Sequence, residues 1–65
     1  MTPDALAFLT ALGTYGGVFA NDAAVFASMA AGIATALGSD WIVDTGDDYR
    51  MTFDGEAALY TALTA

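Results

Sequence analysis

Asp44, Asp47 and Asp48, with Asp40 just before them, bring several carboxylates to one short stretch of chain. Hard oxygens gathered in this way are the donors that calcium accepts, which makes the three aspartates the candidate cation site. The spacing is not that of an EF-hand, and no Glu follows where that loop would close. Carboxylates in pairs also serve acid–base chemistry, but a solvated acidic turn accounts for these without it.

Nucleophilic catalysis has less to work with. The chain holds no His, Cys or Lys, so Ser28 and Ser39 have only carboxylates as neighbouring bases. Ser28 falls inside an apolar helical stretch and Ser39 in a turn. Gly13, Gly16 and Gly17 follow a helix rather than a strand, which is the wrong context for a phosphate loop. Disulfides and the commonest zinc ligands are excluded by composition. These features predict a protein that is not an enzyme and carries no cofactor.

The charge is one-sided. Arg50 is the sole cation against eight acids, for a net charge of −7. Such a chain repels nucleic acid and anionic lipid. Acidity of this kind keeps a greasy small protein dispersed and suits a halophilic, high-salt cytoplasm. It also suits a surface that meets a basic partner or imitates a phosphate backbone, and the acids concentrate between residues 40 and 56. The N-terminus has Asp4 where a secretory leader carries basic residues, so a cytoplasmic protein, host or viral, is expected.

The elements that carry these residues fit one domain, residues 1–65. Thr2-Pro3-Asp4 reads as a helix start, with a cap, a proline suited to the first turn and an acid at the positive end of the dipole. Ala5, Phe8, Leu9 and Leu12 then mark one apolar face, and Gly13 reads as the stop. Gly16-Gly17 lies in a turn that leads to a short apolar segment. A second helix is expected from a cap at Asn21 or Asp22 to Leu37, closed by Gly38. Its core face is Val25, Phe26, Met29, Ile33 and Leu37. Beside that face Ser28, Gly32 and Ala36 form a small-residue stripe where another backbone can approach. Ala23 to Leu37 is only marginally long enough to span a bilayer and has acidic flanks, so no membrane is expected.

Trp41-Ile42-Val43, a Gly/Asp turn and the alternating Tyr49-Arg50-Met51-Thr52-Phe53 predict a β-hairpin. Tyr49, Met51 and Phe53 fall on one face of their strand, with Arg50 and Thr52 on the other, and Trp41 and Val43 share a face, so the two strands can present one aromatic-rich side to the helices. Thr52 or Asp54 caps a short last helix with Leu59, Tyr60 and Leu63 as its apolar contacts. The expected fold class is therefore α+β: two helices, a wing-like hairpin and a short C-terminal helix.

Leu37-Gly38, Trp41-Ile42-Val43, the polar turn, Tyr49-Arg50-Met51-Thr52, Gly55 and Ala57-Ala58-Leu59 together resemble the wing region of winged helix-turn-helix regulators. The resemblance covers about residues 37 to 63. The opening Thr2-Pro3-Asp4-Ala5-Leu6 also looks like the first helix of acidic, halophile-type members. It implies a winged-helix-like scaffold and places Arg50 where a phosphate or minor-groove contact would lie. The middle departs from the family pattern. Two helices are needed between the first helix and the wing, the second reading DNA, and the stretch available offers no Arg, Lys or Gln to a base edge.

The function expected is thus a small non-enzymatic module that binds a protein or assembles with itself: a dimeric regulator, a virion component or an inhibitor. Its interaction residues are Val25, Ser28, Met29, Gly32, Ala36 and Arg50. A DNA-binding winged-helix regulator adapted to high salt is the first alternative, although one cation makes direct nucleic-acid binding weak. An acidic decoy that occupies a nucleic-acid groove on another protein is the second.

Overall fold

A computed structural model describes residues 1–20 and 27–64. Helix α1 spans Pro3–Thr14 and strand β1 Val18–Ala20; a single 3-10 turn, Ala27–Met29, runs into α2, Ala30–Gly38. The hairpin strands are β2, Ile42–Asp44, and β3, Asp48–Met51, and α3 covers Phe53–Thr64. The α+β class is as expected. The sheet has one strand more than the hairpin, because β1 pairs antiparallel with β3 in the order β1-β3-β2. Val18 and Val43 both lie opposite Arg50, on its two sides.

Helix α1 starts as its sequence dictates. The Thr2 hydroxyl accepts a hydrogen bond from the Ala5 amide at 3.2 Å, with Pro3 in the first turn. The end differs from expectation, since Gly13 stays helical. Gly16, at φ 72°, and Gly17, at φ 83°, make the stop instead. The Gly17 amide donates to Leu12 at 3.1 Å and the Gly16 amide to Gly13 at 3.0 Å, a Schellman closure. The Gly17 carbonyl then accepts from the Met51 amide at 2.7 Å and carries the chain into the sheet. Helix α2 closes in the same manner, with Asp40 in the left-handed position at φ 59° and the Trp41 amide donating to Ala36 at 2.9 Å.

The core joins Phe8, Leu9 and Leu12 of α1 to Ile33 and Ala36 of α2 and to Ile42 and Tyr49 of the sheet. Phe8 and Tyr49 meet edge to face, ring centroids 5.8 Å apart. All four residues expected to form the inner face of α1 are buried. The hairpin phase is not the expected one. Ile42 is buried and Val43 exposed, because Val43 pairs with outward-pointing Arg50 and cross-strand partners share a face. Phe53 belongs to no strand, since it opens α3.

The join from β3 to α3 explains a run of side chains. The Thr52 hydroxyl accepts from the Gly55 amide at 3.0 Å as the helix cap and donates to the Asp40 carbonyl at 2.6 Å. The Thr52 amide donates to the Trp41 carbonyl at 2.9 Å. Gly55 lies flat on that same carbonyl, and a Cβ there would collide with it and with the Met51 side chain at 2.9 Å.

Candidate binding surface

Most of the residues singled out from sequence prove to be committed within the chain. Ala36 is fully buried and Gly32 is buried. A Cβ on Gly32 would run into the backbone carbonyl of Asp4, with its carbon at 2.7 Å and the Ala5 nitrogen at 3.1 Å. The backbone that approaches the small-residue stripe is thus α1 of the same molecule, which removes Gly32 and Ala36 as contacts to a partner. Met29 is half-buried against the core and Ser28 is exposed. Val25 and Phe26, with the cap at Asn21 or Asp22, lie outside the described residues. Leu37, expected in the core, is instead exposed, since α2 is rotated to bring its small residues against α1.

The acidic turn is likewise occupied with its own structure. The Gly46 amide donates to Asp44 Oδ1 at 2.8 Å, the Thr45 hydroxyl to Asp48 Oδ1 at 2.6 Å, and Arg50 Nε to the same Asp48 oxygen at 3.2 Å. Asp47 stands exposed beside them. Among the described residues no group of three acids could hold a metal ion, which corrects the cation site expected at Asp44, Asp47 and Asp48. A calcium site needs about six to eight converging oxygens, whereas here the turn uses carboxylate oxygens to fix its own amides and hydroxyl.

The Thr45 hydroxyl, joined by Arg50, holds the Asp48 carboxyl below its ordinary value of 3.8. A group depressed on folding stabilises fully above its unfolded value, and that contribution fades as pH falls through the folded one. Replacing Thr45 with Val should therefore raise the Asp48 titration midpoint, read from its side-chain carboxyl carbon by NMR. A midpoint unchanged in Thr45→Val would show that the hydroxyl does not set it.

Among the described residues, the most exposed large apolar side chains lie on α3, with Tyr15 and Val43 exposed elsewhere. Gly55 is the sole buried residue of α3, and Leu59 packs half-buried on the core. Phe53 is 83% exposed, Tyr60 71% and Leu63 61%. At 100° per residue, Phe53, Ala57, Tyr60 and Thr64 make one outward stripe, opposite Gly55 and Ala62. Tyr60 and Leu63 therefore do not serve as the inward contacts expected of them. A shallow apolar groove runs beside the stripe between α3 and the end of α1, lined by Gly13, Gly17, Met51, Leu59 and Leu63, with the Glu56 carboxylate at its edge. Helices at a surface normally turn charge outward; this one turns out aromatic rings, and its only acids, Asp54 and Glu56, sit in the first turn. The contact at Gly55 decides this orientation. Gly55 marks the side of closest approach, so the large residues half a turn away must face out.

The geometry defines an α+β domain with a three-stranded sheet, a core closed by α1 and α2, and an apolar outer helix. Against models of protein families, curated proteins and solved structures, the chain finds no match. Among the described residues, no helix is long and apolar enough to cross a membrane.

Proposed function

We propose that this protein is a non-enzymatic module that binds a protein or assembles with itself, and that α3 presents its binding face. The observation that carries this reading is the outward stripe of α3, with Phe53 and Tyr60 mostly exposed on a helix that buries only a glycine. Apolar patches of this kind on small domains mark interaction sites. Tyr, with Trp and Arg, is also enriched among the few residues that dominate interface energies. The acid surroundings favour a partner that is basic or neutral at the contact.

Two experiments test the reading together: solution mass over a range of concentrations, and calorimetric titration with a synthetic amphipathic helix built of Leu and Lys. One or both should show association, and Tyr60→Asp should abolish it. The substitution adds an acid, so binding by charge alone would strengthen rather than disappear. A chain that neither self-associates nor takes the peptide would contradict the proposal.

A winged-helix DNA-binding regulator adapted to high salt is the second reading. The hairpin, the capping Thr52 and Gly55, which carry the resemblance, support it. The charges weigh against it. Arg50 is already joined to Asp48, and the exposed residues of α2 are Ala30, Ala31, Ala34, Leu37 and Gly38, none of which reads a base edge. Fluorescence anisotropy on duplex DNA at physiological salt is expected to show no saturable binding. Micromolar binding that disappears in Arg50→Ala would put the regulator first.

A further inference from the structure

We propose that a second copy of this chain covers the outer face of α3, the two helices lying antiparallel about a two-fold axis; the inference rests on the binding-module reading above. The stripe alternates large and small: Phe53, Ala57, Tyr60, Thr64. An antiparallel pairing centred between Ala58 and Leu59 sets Tyr60 over the partner's Ala57 and Phe53 over the partner's Thr64. Each ring thereby meets a small residue, and the face is its own complement, as a two-fold interface requires. Parallel pairing would set ring against identical ring and bring both sets of first-turn acids together.

Buried area and charge set the strength of this pairing. On the stripe, the exposures of Phe53 and Tyr60 leave roughly 300 Å² of apolar area per copy, taking ~150–250 Å² for a whole aromatic side chain. Two copies hide roughly 600 Å² through these rings, below the ~1,000 Å² where stable specific association begins, so the dimer is weak and concentration-dependent. No charge lies on α3 beyond Glu56. In the antiparallel register the two Asp54 side chains stand about 13 Å apart along the axis and the two Glu56 about 7 Å, at ~1.5 Å per residue. Repulsion between copies of net charge −7 remains and is screened by salt. Added salt should thus tighten this pairing, whereas it loosens the grip of an acidic surface on a basic ligand.

Sedimentation equilibrium of the full chain at about 0.1 M and about 2 M NaCl separates these cases. The parent is expected to approach twice its monomer mass at millimolar concentration, with association at least tenfold tighter at the higher salt. Tyr60→Asp should remain monomeric at both, with circular dichroism matching the parent. Ala57→Phe is the sharper variant. It enlarges the apolar surface yet fills the socket for Tyr60, so association should fall, whereas a merely sticky face would associate more. A parent monomeric at both salts, a Tyr60→Asp that still dimerises, or an Ala57→Phe that dimerises more tightly overturns the pairing. If the monomeric parent still binds the Leu/Lys helix through Tyr60, the binding-module reading stands and only the occupant is wrong. If it binds neither, both fall.

Discussion

Gly32→Ala should lower the stability of this protein by about 1–3 kcal/mol, the range for forcing extra bulk into a packed interior. On an isolated helix the same change is favourable by about 1 kcal/mol. The sign is decided by what the new methyl group meets: the carbonyl of Asp4 and the start of Ala5, backbone groups held by the capped first turn of α1. A flexible side chain could swing aside; a capped helix terminus must move as a body. Gly32→Leu should leave little folded protein. At roughly 0.05–0.15 kcal/mol per residue, a chain of this length has only about 3–10 kcal/mol in all. Thermal melts followed by circular dichroism decide the matter. A Gly32→Ala protein melting at or above the parent would mean that α1 does not cross α2 there.

Phe8→Ala should be more damaging still, costing about 3–5 kcal/mol, a large share of the about 3–10 kcal/mol that holds the chain folded. Phe8 is fully buried at the centre of the core, and its ring meets Tyr49 edge to face, so the change opens a cavity and breaks the contact between α1 and the sheet together. Urea denaturation is the appropriate measurement. A cooperative transition displaced by less than about 1 kcal/mol would show that the core is organised around other residues.

These two positions also show what was legible in the sequence. Phe8 was plain, because the inner face of α1 repeats at helical spacing and large residues define it. Gly32 was half legible. The stripe Ser28, Gly32, Ala36 announces a close backbone approach but not whose backbone, and hydrophobic size alone turned α2 toward Leu37, which is exposed. The hairpin was readable from its turn residues, while its phase was not. That phase depends on β1 and β2 both pairing with β3, and a strand as short as β1 has no periodicity to read. For the binding face, Leu59, Tyr60 and Leu63 looked alike in sequence. Only the contact of Gly55 with the Trp41 carbonyl fixes which side of α3 turns inward. The wing-like run from Trp41 to Gly55 turns out to consist largely of scaffold contacts: the Trp41 carbonyl, Tyr49 in the core, the Thr52 cap and the Gly55 approach. A resemblance built on those residues speaks to how the chain folds more than to what it binds.

The central claim, that the outward side of α3 is where this protein meets its partner, is tested most directly by amide chemical shifts. They would be recorded residue by residue as the protein is concentrated in high salt. The account predicts that Phe53, Ala57, Tyr60 and Thr64 shift together along one binding curve while Ala30, Ala31 and Ala34 of α2 hold still. Shifts confined to α2 or to the hairpin around Val43 and Arg50, with α3 unchanged, would contradict it.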